Sequence, residues 1–166
     1  MTVDIVDLLG DDATANNGPD VVVDYLWVNR RQFEGCTPGF WQGGNGSTLW
    51  NEEFDPDWTP AGDNPFYHDT LFNEFFSVIT DPALDGLTMY EATSPADSYW
   101  PEKVARDLVA AYLNASHVDV DYPFATDYLT AAWYEALEEF LVNGNDQLLR
   151  DLHTELDEAN NLGCEF

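Results

Sequence analysis

The chain contains two cysteines, and their positions are the feature that most limits the folds open to it. Cys36 lies in residues 35–41, which read Gly-Cys-Thr-Pro-Gly-Phe-Trp, and Cys164 lies near the other end of the sequence. A segment with two glycines, a proline and two aromatic side chains is too rigid and too apolar for a disordered linker. Cys36 has one possible partner in the chain, so a disulfide would hold this segment against residues near 164. A thiol nucleophile at either position is the alternative.

The net charge of −27 is the second constraint, and it arises from 32 acidic residues and only five basic ones. Most carboxylates cannot be paired within the chain, and their mutual repulsion weakens a compact state in dilute salt. At molar salt the Debye length falls to about 3 Å, which removes most of that repulsion. The composition is therefore typical of a haloarchaeal protein. The alternatives are an ordinary acidic protein and a nucleic-acid mimic, but carboxylates scattered among tryptophans and leucines argue against the mimic.

Composition also limits the class of protein and its partners. The 45% hydrophobic and 14% aromatic content argues against intrinsic disorder. Five basic residues are too few for a surface that binds nucleic acid or an anionic membrane. No run approaches the roughly 20 apolar residues of a membrane span. Residues 1–7 lack the basic start and apolar core of a signal peptide, so we expect none there.

The pattern along the chain predicts a flexible acidic arm over residues 1–20 and a single domain over residues 21–166. Residues 21–28 are β-branched and aromatic and favour a strand. Residues 30–69 are rich in Gly, Pro, Asn and Trp, which indicates an irregular layer held by buried rings. A carbohydrate-stacking face and a subunit interface are the alternatives for these rings. The candidate interaction residues are Trp27, Trp41, Trp50 and Trp58.

After residue 69 the apolar spacing becomes helical. We predict a helix over residues 69–79 and a shorter one over residues 84–92. Pro101 suits the first turn of a third helix that ends near Asn114. Together with the front of the chain, this pattern predicts a mainly α domain with a Trp- and Gly-rich irregular layer and one or two short N-terminal strands.

Two further helices follow with clear boundaries. Thr126 is a plausible N-cap for an apolar stripe that extends to Leu141, and residues 143–145 (Asn-Gly-Asn) end that helix and begin the next. The last helix carries four apolar residues at 3-4-3 spacing, namely Leu149, Leu152, Leu156 and Ala159. Gly163, just past this run, fits the C′ position of a helix stop.

Four blocks of the sequence resemble a widespread domain of predicted surface and secreted proteins of bacteria and archaea. Residues 35–41 are similar to its GCTPGYWK opening, and residues 104–115 to its LARQLVAALLNAA helix. Residues 120–123 resemble its VNYP turn, and residues 156–164 its LNNLGCPL ending. The blocks occur in the family's order across residues 35–166. Resemblance to this family implies a helical, disulfide-closed, extracytoplasmic domain with Cys36 bonded to Cys164.

The chain departs from the family pattern at three places. Gln42 replaces the Lys that often follows the Trp, residues 43–46 stand where a His is often found, and Glu165 replaces the Pro after the last Cys. These changes argue against any activity that would use the Lys or the His. The resemblance itself implies no catalytic chemistry.

The residues themselves predict no enzyme. The three histidines are His68, His117 and His153, and no Gly-x-Ser-x-Gly turn accompanies them. No P-loop is present, and Cys and His are too dispersed for a zinc site. Asp119 and Asp121 alternate like calcium ligands without the spacing of an EF-hand loop, so we expect solvated carboxylates, no metal and no cofactor.

Two glycosylation sequons begin at Asn45 and Asn114, and they matter only if the chain is exported. Disulfides persist outside the cytoplasm, whereas the start of the sequence predicts no signal peptide. A virion component that is assembled in the cytoplasm and oxidised after release reconciles the two.

The leading hypothesis is a non-enzymatic structural protein on the surface of a haloarchaeal virus particle, in the head or the tail. Its partners would be other structural subunits, including copies of itself. The first alternative is a secreted or cell-surface domain of a haloarchaeon. The second is a carbohydrate-binding or hydrolytic protein that uses exposed tryptophans and carboxylates.

Overall fold

A computed structural model describes residues 33–43, 46–49, 67–96, 98–117 and 119–164. All of them belong to a compact unit formed by residues 33–166. The predicted arm (residues 1–20) and the predicted strand (residues 21–28) lie outside the described residues. So do Trp27, Trp50 and Trp58.

The described part is mainly α-helical, which confirms the predicted fold class. Three long helices follow three short ones and two 3₁₀ turns (Gly46–Thr48 and Pro82–Leu84). The helices are α1 (Pro38–Gln42), α2 (Phe72–Phe75), α3 (Met89–Ala92), α4 (Trp100–Ser116), α5 (Thr126–Asn143) and α6 (Gln147–Asn160). Within the described ranges, β structure is limited to two isolated antiparallel bridges, Gly35 with Gly163 and Leu71 with Thr88.

Helix α4 is the centre of the domain because it is apolar on most of its circumference. Seven of its hydrophobic side chains have at most 2% of their surface exposed, namely Val104, Ala105, Leu108, Val109, Ala110, Ala111 and Leu113. A helix that is apolar nearly all round is covered on all sides. Helices α1, α3, α5 and α6 all pack against it.

Helices α5 and α6 form an antiparallel hairpin connected by residues 144–146. Gly144 closes α5 in the left-handed conformation (φ 67°), and its N–H donates to the carbonyl oxygen of Phe140. The predicted boundary at residues 143–145 is therefore confirmed. The four apolar residues predicted for the last helix are buried, as their 3-4-3 spacing requires.

The predicted helix over residues 69–79 is much shorter in the structure. Only α2 is helical, because the backbone on either side of it makes other hydrogen bonds. The Phe72 N–H donates to the carbonyl oxygen of Leu87, and the Met89 N–H donates to that of Thr70. At its other end, Phe76 leaves the helical region (φ −93°, ψ 65°).

The prediction for residues 84–92 is also corrected, because α3 begins only at Met89. Thr88 and Glu91 form a reciprocal capping box at its start. Pro82–Leu84 is a separate 3₁₀ turn, whose cap Asp81 accepts from the Ala83 N–H. The apolar residues of this region have helical spacing because the 3₁₀ turn and α3 bury Leu84 and Met89, respectively, in the same core.

Two helix caps lie at positions other than those predicted. Thr126 is the first residue of α5 rather than its N-cap, which is Ala125 and makes no side-chain capping bond. Gly163 has a left-handed backbone (φ 92°), but it lies two residues beyond the C-cap Asn161. Its N–H donates to the carbonyl oxygen of Gly35 instead of to a helix carbonyl. Its conformation therefore serves a long-range contact.

None of the helices described here combines the length and the apolar character needed to cross a membrane.

Candidate functional site

The two cysteines are bonded, which confirms the predicted disulfide between Cys36 and Cys164. Their Cα atoms are 5.2 Å apart, within the usual range for a disulfide. Beside the bond, Gly35 and Gly163 exchange two backbone hydrogen bonds, of 3.0 and 3.1 Å. A Cβ on Gly35 would lie 2.0 Å from the carbonyl oxygen of Ala159, so only glycine allows the backbone to come this close.

Asn114, a fully buried residue on α4, holds the segment that contains Cys36. Its Oδ1 accepts from the Cys36 N–H and from the indole Nε1–H of Trp41, each at 3.0 Å. Its Nδ2 donates to the Cys36 carbonyl oxygen at 2.9 Å and to Oδ1 of Asn160 at 3.0 Å. One side chain thus fixes both ends of the Cys36 peptide and the neighbouring tryptophan.

Asn160, at the end of α6, extends the same network. Its Oδ1 also accepts from the Tyr122 hydroxyl at 2.9 Å, and its Nδ2 donates to the backbone carbonyl oxygen of Asp107 at 2.9 Å. Burial raises the pKa of Tyr122, which keeps the hydroxyl protonated and able to donate. We call the disulfide, the Gly35–Gly163 pair and the hydrogen bonds of Asn114 and Asn160 together the clasp.

All four of the sequence blocks quoted above meet in the clasp. Residues 35–41 contribute Cys36 and Trp41, residues 104–115 contribute Asn114, and residues 120–123 contribute Tyr122. Residues 156–164 contribute Asn160 and Cys164. Blocks that are far apart in sequence thus form one buried structural unit.

The structure corrects the prediction that Trp41 lies on an interaction surface. Its side chain is 1% exposed and belongs to the hydrophobic core. The indole supplies an apolar body for the core and one N–H for Asn114, which is the usual arrangement of a buried tryptophan. The other three candidate interaction residues (Trp27, Trp50 and Trp58) lie outside the described residues.

An acidic residue connects the clasp to the surface. Asp107 on α4 is fully buried, and its Oδ2 lies 2.6 Å from Nδ1 of His153 on α6. Burial raises the pKa of Asp107, although the positive charges of Arg106 and His153 oppose that shift. The His153 side chain is 29% exposed, so this pair links the buried network to solvent.

Positive charge gathers around Trp100 at the start of α4. Lys103 Nζ lies 4.5 Å from the Trp100 ring centroid, and Arg150 Cζ from α6 lies 4.4 Å from it. Such cation–π contacts contribute about 0.5–1 kcal/mol each at partly exposed sites. Arg150 also pairs with Asp146 through two hydrogen bonds, of 2.9 and 2.7 Å. Arg106 lies one helical turn after Lys103 on α4, and we call Lys103, Arg106 and Arg150 together the basic patch.

Sequence reasoning missed Asn114, Asn160 and Asp107 as site residues. The signal was present, because each lies on the apolar face of a helix: Asn114 lies three residues after Ala111, and Asp107 lies three residues after Val104. Asn160 continues the stripe that contains Leu156. A polar side chain on such a face must find partners, and only the folded structure shows which ones.

The described residues were also compared with the requirements of a metal site and of a glycosylation site. No group of three His, Cys, Asp or Glu side chains in the described ranges is placed to hold a metal ion. Asn114 is buried and uses both atoms of its amide, so the second sequon offers no acceptor for glycosylation in the folded protein. Asn45, which begins the first sequon, lies outside the described residues.

No protein-family model, curated protein or solved structure matches this chain. The clasp brings together polar groups that bond to one another, and this arrangement is suited to holding a fold closed.

Proposed function

We propose that this chain is a non-enzymatic structural protein that works outside the cytoplasm at high salt, on the surface of a halophilic archaeal virus particle. The observation that carries the proposal is the clasp, in which side chains from all four sequence blocks bond to one another. Asn114 and Asn160 are fully buried and bonded to one another, which leaves neither available to a substrate.

The disulfide supports the extracytoplasmic location. It joins residues 128 positions apart, and closing a loop of this length stabilises a fold by about 4–5 kcal/mol on the chain-entropy model. That is a large share of the roughly 5–15 kcal/mol that separates folded from unfolded domains. A disulfide that contributes this much to stability persists in an oxidising environment.

The charge supports the high-salt setting. With 32 acidic and five basic residues, the chain repels itself in dilute salt. At molar salt the repulsion extends over only about 3 Å, so the same sequence can remain compact.

The hydrogen bonds of the clasp support a particle subunit over a secreted protein. The Gly35–Gly163 pair and the bonds of Asn114 to the Cys36 peptide are noncovalent contacts between the same segments that the disulfide joins. A subunit of this kind can fold and assemble in a reducing cell and form its disulfide after release. A secreted or cell-surface protein of the host is the competing setting, and the experiment below separates them.

The test is mass spectrometry of purified particles and of purified host envelopes, each with and without reductant. We expect the chain in the particles, at a stoichiometry of many copies, with a mass that shows the Cys36–Cys164 bond until reductant is added. Recovery from envelopes alone would replace the particle with a cell-surface role. Recovery from the cytoplasm alone, with both thiols reduced and none of the chain in released particles or envelopes, would contradict an extracytoplasmic role altogether.

A further inference from the structure

The α5–α6 hairpin carries a groove on its outer side that the clasp does not use. The groove has a volume of about 490 Å³, within the size range of pockets that bind ligands or side chains. Its apolar floor is formed by Ala132, Ala136 and Leu152, with the partly exposed Leu148 at its edge. Such a floor can cover the methylene stems of long basic side chains.

The rim of the groove is acidic. Glu135 from α5 and Asp151, Glu155 and Glu158 from α6 line it, and we call this surface the acidic groove. No ion pair joins any of the four to a Lys or Arg in the described part of the chain. Their side-chain hydrogen bonds are to neutral donors: Tyr128 donates to Glu155 at 2.7 Å, and Gln147 donates to Asp151 at 2.8 Å. The charge of the rim is therefore available to a partner.

The basic patch has the complementary charge and lies on another side of the molecule. Arg150 and Glu155 are five residues apart on α6, which places them about 140° apart around the helix. Arg150 accordingly contacts Trp100 of α4, while Glu155 lies in the groove next to α5. The acidic groove and the basic patch of one molecule therefore face different directions.

The spacing of the charges also matches. Lys103 and Arg106 are one turn apart on α4, and both are half-buried. Asp151, Glu155 and Glu158 are likewise one turn apart on α6. Side chains at these spacings are separated by about 5–6 Å. Two successive cations can therefore face two successive carboxylates when the helices lie alongside.

We propose that the protein assembles head to tail, with the basic patch of one copy docked on the acidic groove of a second copy. Because the two surfaces differ, the contact is heterologous and produces rings or filaments rather than a closed two-fold dimer. This inference rests on the proposed structural role and names the partner of that role as another subunit of the same chain.

Salt acts on this contact in two ways. In dilute salt the net charge of −27 keeps copies apart. At molar salt this long-range repulsion is screened, whereas ion pairs that are partly buried at an interface are screened much less. Assembly is therefore expected at molar salt and not in dilute buffer.

The experiment uses charge reversal of the full chain, measured by sedimentation velocity in 2–3 M KCl (about the range in which the Debye length is 3 Å or less). The groove variant is Glu155→Lys with Glu158→Lys, and the patch variant is Lys103→Glu with Arg106→Glu. We expect the wild-type chain to form larger species as concentration rises. Each variant alone should associate at least tenfold more weakly, because the substituted side chains then face side chains of like charge across the contact.

Mixing provides the decisive measurement. An equimolar mixture of the groove variant and the patch variant restores opposite charges at both kinds of contact, so assembly should return to the wild-type level. The control is Asp127→Lys with Glu138→Lys, two exposed residues of α5 that do not line the groove but raise the net charge by as much as the groove variant does. This control should assemble at least as well as the wild type.

Circular dichroism of each variant checks that it folds. If a reversal variant is unfolded, the neutral pairs Glu155→Gln with Glu158→Gln and Lys103→Gln with Arg106→Gln replace it, with weaker assembly expected for each. A monomeric wild-type chain at molar salt, unchanged assembly in the variants, or a mixture that stays monomeric would overturn the inference. So would capture of a synthetic basic amphipathic peptide by a chain that remains monomeric.

The outcome separates this inference from the proposed function. A chain found in particles but monomeric in solution would refute the head-to-tail contact alone. A chain that assembles through the acidic groove but is recovered only from host envelopes would refute the particle role alone.

Discussion

The clasp and the α5–α6 hairpin are stabilised by different interactions. In the clasp, polar side chains bond across large sequence separations, such as the 78 residues between Cys36 and Asn114. In the hairpin, the buried contacts are apolar, from Leu129, Trp133, Leu137 and Leu149. Its side-chain hydrogen bonds include exposed local ones, such as the bond from Asn143 to Glu139.

The polar bonds of the clasp fix the geometry of the fold more strictly than the apolar contacts of the hairpin do. Apolar contacts favour burial but tolerate changes of partner, whereas a buried amide must meet donors and acceptors at defined positions. Replacing a buried partner leaves other polar groups without hydrogen bonds, and each of these costs about 1–3 kcal/mol. Variants in the clasp should therefore have larger effects than variants of similar size in the hairpin.

The largest effect is expected when the disulfide is removed. The double variant Cys36→Ala with Cys164→Ala should lower the free energy of unfolding by about 4–5 kcal/mol, because the unfolded chain regains the entropy of an open loop. Denaturant titration at molar salt measures this. Reduction of the wild-type chain should have the same effect. A loss below about 0.5 kcal/mol, the size of an ordinary surface effect, would show that the clasp does not need its covalent bond.

The next largest effect is expected for Asn114→Ala. The change leaves the Cys36 N–H, the Trp41 indole N–H and the Cys36 carbonyl oxygen without their partner, at a total cost of about 3–5 kcal/mol. The matched control is Asn143→Ala on the exposed end of α5, where we expect a change within about 0.5 kcal/mol. Equal losses in the two variants would mean that the buried network contributes nothing specific.

A core truncation in the hairpin tests the other side of the comparison. Leu149→Ala should lower the free energy of unfolding by about 2–3 kcal/mol, the lower part of the range for buried leucines. Its neighbour Leu148 is 36% exposed, so Leu148→Ala should cost less than about 1 kcal/mol. Thermal denaturation of both variants at molar salt measures the pair. A loss for Leu149→Ala that exceeds the loss for Asn114→Ala would reverse the comparison.

The smallest effect is a pH dependence at Asp107. Burial raises the pKa of this carboxyl, so the folded state binds a proton that the unfolded state releases near its ordinary pKa of about 4. The contribution of Asp107 to stability therefore falls as pH rises from about 4 toward the raised value. Asp107→Asn removes this term, so the stability of the variant relative to wild type should increase over that window.

The measurement is denaturant titration from pH 4 to 7 at constant molar salt. The asparagine keeps the shape of the side chain and can still bond to Nδ1 of His153. Val142→Ala, a change on α5 at a side chain that is 73% exposed and has no titratable group, is the control and should leave the pH profile parallel to that of the wild type. A stability difference that decreases with pH would mean that the paired charge outweighs burial.

Sequence patterns located the long helices because their signals are local. The 3-4-3 spacing of Leu149, Leu152 and Leu156 identifies the buried face of α6, and Gly144 identifies the end of α5. Such features depend on helical periodicity and on the conformational freedom of glycine, which need no distant partner. The Cys36–Cys164 bond was also predictable, because the chain contains no other cysteine.

The same patterns failed where a distant contact decided the structure. The apolar spacing of residues 69–79 predicted a full helix, but bridge bonds between Leu71 and Thr88 limit it to Phe72–Phe75. Gly163 resembled a helix stop, but it pairs with Gly35. In both cases a backbone hydrogen bond to another part of the chain replaced the local one.

A mainly α fold, the buried faces of the long helices, the disulfide and the strongly acidic net charge can all be read from the sequence alone. Only the tertiary structure showed that Trp41 is buried, that Asn114 and Asn160 bond in one network, and that acidic and basic surfaces lie on different sides of α6. The cause is the separation along the sequence between the residues that interact. Helical periodicity depends on neighbouring residues, and net charge depends on the total composition. The partner of a buried amide is instead a residue that folding brings close from elsewhere in the chain.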